Sequence, residues 1–312
     1  MKKHLVIGLV LLLIVLLLIV LLLIGLSVCT NNEIFSNRKE SQTQTEPAHP
    51  AHSSSFVSRE DLYYCLAKQD GEKKDSLTLQ GQIIGGIVPH HLVAGHLIAR
   101  FMENLALNSN PEVIVLVGPN HYNLGAKVIT GYYDWQTSEG IVKTDKQIVR
   151  ELVNSGLALE NEEVMANEHS IGAVVPFIEH FLPEARVVPL IFHHDVSLDE
   201  VDKVLAMLAT YLDEKAVFIG SVDFSHYLSR QEAQEKDEYT LQVMHDFDYG
   251  NLYSMSSDYL DSPASLALVF RNAERRGITD FHVLDNTNSG IILKNDMIET
   301  TSYFTLIFEE KI

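Results

Sequence analysis

Apolar and polar positions divide the chain into three regimes. The first is an uncharged, almost wholly aliphatic run from Leu5 to Val28, preceded by Lys2 and Lys3. At about 1.5 Å per residue, a helix of that length crosses a hydrocarbon core of about 30 Å, so the run predicts a single transmembrane anchor. It exceeds the roughly 7–15 apolar residues of a secretory signal, which favours an uncleaved span. Leu26-Ser27-Val28-Cys29 has the look of a degenerate lipobox, with Val28 where a small residue is expected. Lys2 and Lys3 predict a cytoplasmic N-terminus and a following domain on the extracytoplasmic side of the membrane.

The second regime, residues 30–56, contains SQTQTEPAHPAHSSS and is too polar to bury a core. It predicts a disordered linker in which His49 and His52 are solvated. The boundaries are therefore an anchor at 1–29, a linker at 30–56 and a domain at 57–312.

The third regime alternates between strand-like and helix-like segments. Strands are predicted at Ile83–Val88, Val113–Val117, Arg186–Phe192, Ala216–Gly220, Phe281–Leu284 and Ser302–Phe308. Helices are predicted near Arg59–Lys68 and at Leu92–Leu107, Asp145–Ser155, Ile171–Phe181, Leu198–Leu212, Gln231–Phe247 and Pro263–Arg276. Nearly continuous apolar strands such as VIVLVG and RVVPLIF imply burial on both faces, hence an α/β fold with a mostly parallel sheet covered by helices.

Composition narrows the function. The net charge of −19 and the lack of a basic, aromatic-laced cluster argue against a nucleic-acid partner. Cys29 and Cys65 are the only cysteines, so a disulfide framework is excluded. GxGxxG, GxxxxGK[ST] and GxSxG are all missing, which removes the usual signatures of dinucleotide, nucleoside triphosphate and α/β-hydrolase chemistry.

What remains is a set of histidines and carboxylates at predicted strand ends: Pro89-His90-His91, Pro119-Asn120-His121-Tyr122, His193-His194-Asp195 and Asp223-Phe224-Ser225-His226. In a parallel sheet these ends share one edge, where ligands of open α/β folds collect. Asn167-Glu168-His169-Ser170 precedes a helix; capping accounts for Glu168 and Ser170 but leaves His169 unexplained. Neutral imidazole with carboxylate suits divalent iron, copper or zinc.

These residues together resemble the Memo family, also called AmmeMemoRadiSam system protein B, whose fold is similar to that of class III (LigB-type) extradiol dioxygenases. Pro89-His90 matches the family's PHAG segment, Gly118-Pro119-Asn120-His121 its GPSHH, Glu168-His169-Ser170-Ile171 its EHSIE, and Ser221-Val222-Asp223-Phe224-Ser225-His226 its SSDFxH. The resemblance runs from about Ile83 to the C-terminus and implies that His90 and His121 are metal ligands. It places His169, Asp223 and His226 around the metal, with His169 or His226 as acid and base and Asp223 orienting a neighbouring histidine. The family's CGxxP becomes Tyr259-Leu260-Asp261-Ser262-Pro263, so its thiolate is lost. The related dioxygenases use a carboxylate third ligand, which points to Asp261, with Asp258 as its competitor. The family's N-terminal motif is replaced by material around Leu62-Tyr63-Tyr64.

The resemblance implies an oxidoreductase of extradiol-dioxygenase type, with Fe(II) or copper and a small phenolic substrate, and the apolar N-terminal run makes it membrane-anchored. Two other readings are compatible with the sequence. One is a non-catalytic module binding a metal or a peptide on the same fold. The other is a zinc-dependent hydrolase with Asp223 as base.

Overall fold

The computed structural model describes residues 50–53, 55–71, 79–212 and 214–311. The predicted span Leu5–Val28 lies outside the described residues. No helix among the described residues is long and apolar enough to cross a membrane.

The strands in chain order are β1 (Ala51–Ser53), β2 (Gly81–Val88), β3 (Val113–Pro119), β4 (Val128–Thr130), β5 (Asp134–Gln136), β6 (Ile141–Val142), β7 (Leu159–Glu160), β8 (Arg186–Phe192), β9 (Ala216–Ser221), β10 (His282–Asn288) and β11 (Ser302–Lys311). Eight of them form one sheet in the order β10-β11-β2-β9-β3-β8-β4-β7. The centre, β2-β9-β3-β8, is parallel as expected. Outside it the directions are mixed: β11 runs antiparallel to β2 and β10, and β4 runs antiparallel to β8 but parallel to β7.

Side chains of successive strand residues leave opposite faces, and here both faces are buried. Val113, Val115 and Val117 enter one core with the helices Lys146–Asn154, Leu198–Tyr211 and Pro263–Arg275. Ile114 and Leu116 enter the other, with the helices Arg59–Gly71, Gly95–Asn108 and Val175–Phe181. The predicted helix Ile171–Phe181 is broken into His169–Gly172 and Val175–Phe181, where Pro176 sits in the first turn of the second piece. A proline is tolerated there but cannot continue a helix from upstream.

The polar linker ends earlier than composition suggests. Ala51–Ser53 pairs in parallel with β5. His52 is buried rather than solvated, with Nε2 2.7 Å from Glu162 and its ring against Tyr133 and Trp135. A three-residue strand recruited by a distant partner carries no signal in local polarity.

Candidate metal centre

Each residue of the site follows from where a strand stops. His90 lies two residues beyond the end of β2, His121 two beyond β3 and Asp223 two beyond β9. Because β2, β9 and β3 are neighbours and parallel, these equivalent positions converge. His169 arrives from the next layer at the start of the helix His169–Gly172. Its position is fixed by Ser170, whose hydroxyl donates to the Pro119 carbonyl (2.9 Å). Gly118 permits this close approach, since a Cβ there would lie 2.6 Å from Ser170 Cβ and Oγ. Asp261 precedes the helix Pro263–Arg275 and is laced to β9's end: its N–H donates to Asp223 O, and Asp223 N–H donates to Asp261 Oδ2, both 3.1 Å.

His90, His121 and His169 each bring one ring nitrogen within 4.8 Å of the others, the arrangement of a metal-binding group. The His121 and His169 rings stack at 4.1 Å, and His90 stands edge-on to both. Asp261 Oδ2 is 3.3 Å from His90 Nε2 and 4.0 Å from His121 Nε2, and Asp223 Oδ2 is 3.7 Å from His90 Nε2. The His90 side chain is 2% exposed, against 26% for His121 and 38% for His169, so the site opens on the His121–His169 side.

Two of the three rings are anchored through Nδ1. His90 Nδ1 meets Ser221 Oγ at 3.1 Å, and His121 Nδ1 meets Glu168 Oε1 at 2.7 Å. A histidine ligand held by a carboxylate on its far nitrogen is the usual support of a metal site. Glu168 also accepts the His121 and Ser170 N–H groups at 2.9 and 3.0 Å. Burial opposes its ionisation, but the hydrogen bonds from His121 and the two backbone N–H groups prevail and hold the carboxyl below its usual range.

Burial, then repulsion from His121 and His169, pushes His90 well below the usual histidine value. Burial foremost also depresses His169 and His226. His90 and His169 thus favour the neutral form, the one a metal requires. Burial and the neighbouring Asp223 push Asp261 well above the carboxylate range, and its Oδ1 is buried without a hydrogen-bond partner among the described residues. An unsatisfied buried carboxyl oxygen beside three imidazoles is a donor set that a divalent cation fits.

Not every predicted residue joins this group. His226 sits beside it, with Nδ1 3.1 Å from the Ser257 carbonyl. Asp258 turns away to Lys236 at 2.7 Å, and Lys236 Nζ lies 3.8 Å above the Tyr259 ring. Asp258, the competitor for third ligand, is instead engaged by a cation on the neighbouring helix. His193 pairs with Asp195 at 2.5 Å at the end of β8, outside the cluster. Two contacts escaped the sequence reading: the Glu168 support of His121, and His91 Nδ1 against Tyr303 OH at 2.7 Å.

Fold and site together define an α/β protein with a histidine-rich centre at the carboxyl edge of its parallel strands. The Memo-like protein family profile matches residues 63–306, and the chain belongs to that family. A MEMO1 family protein of Pyrobaculum aerophilum is 27% identical over 239 residues, covering 74% of this chain and 85% of the relative. One of Methanosarcina barkeri is 26% identical over 264 residues, covering 79% and 97%. The fold is shared with an uncharacterized protein of Escherichia coli K12, at 12% identity and a TM-score of 0.50, covering 72% of this chain and 99% of that one.

Proposed function

We propose that the chain is a metal-dependent oxidoreductase of the extradiol-dioxygenase kind. His90, His121 and His169 hold one divalent cation, with Asp261 as carboxylate donor. The observation that carries this reading is the convergence of the His90, His121 and His169 ring nitrogens beside the orphaned buried carboxyl oxygen of Asp261. Fe(II) or copper bound there would supply oxygen and electron-transfer chemistry. The chain's own residues bind a small phenolic or catecholic compound through the open His121–His169 side and handle its proton. Because His169 stands among the ligands, proton transfer falls to His226, whose charge Asp223 influences. One observation favours a second reading: three histidines are the donor set of a water-activating zinc, with Asp223 near enough to serve as base.

Elemental analysis of the full chain, purified in detergent without chelator, tests the proposal. Near-stoichiometric iron or copper is expected, and a His90→Ala/His121→Ala double variant is expected to lose it. Zinc instead moves the chemistry to hydrolysis; metal without turnover of any phenolic compound leaves a binding module for metal or peptide. Absence of metal after reconstitution sinks the centre itself.

We also propose that Leu5–Val28 anchors the protein, with the N-terminus cytoplasmic and the folded domain extracytoplasmic. The protein should remain in membranes washed at alkaline pH, and protease added outside intact cells or spheroplasts should reach the domain. Release by the wash would refute the anchor.

A further inference from the structure

Two of the most exposed aromatic residues directly follow site histidines. Tyr122, 70% exposed, follows His121, and Tyr227, 78% exposed, follows His226. They leave the ends of β3 and β9, which are adjacent strands. A single exposed tyrosine requires no explanation. Tyr227 differs because its backbone is left-handed at φ 56°, a conformation that bulky residues rarely adopt.

That conformation is enforced from both sides. Upstream, Phe224 N–H donates to Ser302 O and Ser302 N–H donates to Ser225 O, while Ser225 Oγ is bonded to the buried Asp237. Downstream, Leu228 and Thr300 exchange backbone hydrogen bonds. The chain is thus forced through a strained residue, and its ring, 5.9 Å from that of His226, is left in solvent. Glycine would accept this backbone without strain, so the tyrosine side chain must repay its presence in some other way. Tyr122 is displayed by a similarly fixed turn. Asn120 bonds both the N–H and the carbonyl of Leu124, and left-handed Asn123 bonds His194 N–H.

We infer that Tyr227 and Tyr122 are substrate-recognition residues, two exposed rings carried on fixed turns next to His226 and His121, that take the flat ring of an aromatic substrate. The inference rests on the phenolic reading above and adds which residues select for it. A tyrosine ring offers a large stacking face for the entropic cost of two side-chain torsions, and a backbone already held in place adds little to it.

The test is titration of 4-nitrocatechol into the metal-loaded full chain, followed by absorbance and calorimetry, with metal content and Tm measured in parallel. Tyr227→Gly should weaken binding roughly threefold to tenfold, the worth of one aromatic contact. It should keep its metal and its Tm, because glycine relieves the strain. Tyr227→Phe should bind within about twofold of the parent, since the ring and not the hydroxyl makes the contact. Tyr122→Ala should weaken binding in the same direction. Unchanged affinity in Tyr227→Gly and Tyr122→Ala, with the parent binding normally, overturns the inference and leaves the metal centre standing. Loss of metal in Tyr227→Gly would make it a structural residue and overturns the inference too. A metal-loaded parent that binds no catechol overturns both the inference and the phenolic reading beneath it.

Discussion

Glu168 shows how one residue can satisfy a local rule and a distant need together. Its place before a helix makes it legible as a cap, and it does accept the Ser170 N–H. Its tie to His121, across the gap between two elements, is invisible in the sequence. Glu168→Gln keeps the size but puts an amide donor against either the His121 imidazole or the backbone N–H groups. Metal affinity should fall about 10- to 100-fold, the usual cost of losing such a support, while the cap costs about 1 kcal/mol of stability. Competition with a chelating dye measures the first, and unchanged affinity would mean that Glu168 only caps. His90, His121 and Asp223 were legible because each stands just past an apolar run. Asp261 and Asp258 flank Tyr259 alike in sequence, and only Lys236 on a neighbouring helix separates their fates. His169 was expected to move protons; that its ring stacks on His121 depends on a helix start packing under β3.

At the scale of elements, the long central strands were readable because burial on both faces makes them continuously apolar. β1 and β4 to β7 have two or three residues each, too few for a period, and exist because partners recruit them. The turn after β5 carries such a partnership. Glu139 accepts the Tyr63 hydroxyl at 2.7 Å and lies 2.8 Å from His180 Nδ1, joining the helices Arg59–Gly71 and Val175–Phe181. Burial raises the Glu139 carboxyl, but the His180 and Tyr63 hydrogen bonds outweigh it and hold it below the usual range. A carboxyl depressed on folding stabilises fully above its unfolded value of about 4.3, and that contribution is lost as pH falls through the lower folded value. Glu139→Gln should therefore cost up to about 1 kcal/mol at pH 7, limited by partial exposure, and nothing once the wild-type carboxyl is protonated in strong acid. Urea unfolding at both pH values decides it; an equal deficit at each would assign the effect to packing.

For the whole molecule, alternation of strands and helices announced the α/β class, but strand direction is not written in an apolar run. Antiparallel β11 and β4 therefore went unforeseen. Parallel direction at the centre is what builds the candidate site, because it gathers His90, His121 and Asp223 at one edge while His169 and Asp261 come from separate segments. A cation held there links pieces of chain that are far apart in sequence. It has such a partner only in the folded state, so binding must appear as stability. At a free metal concentration about 100 times Kd the gain is about 2.7 kcal/mol. At roughly 2–4 °C per kcal/mol for a domain of this size, Tm should rise by roughly 5–10 °C on loading and fall back with chelator. The His90→Ala/His121→Ala variant should melt at one temperature with or without metal. An equal rise in that variant would place the bound metal elsewhere on this acidic chain, and the strand-edge cluster would then hold none.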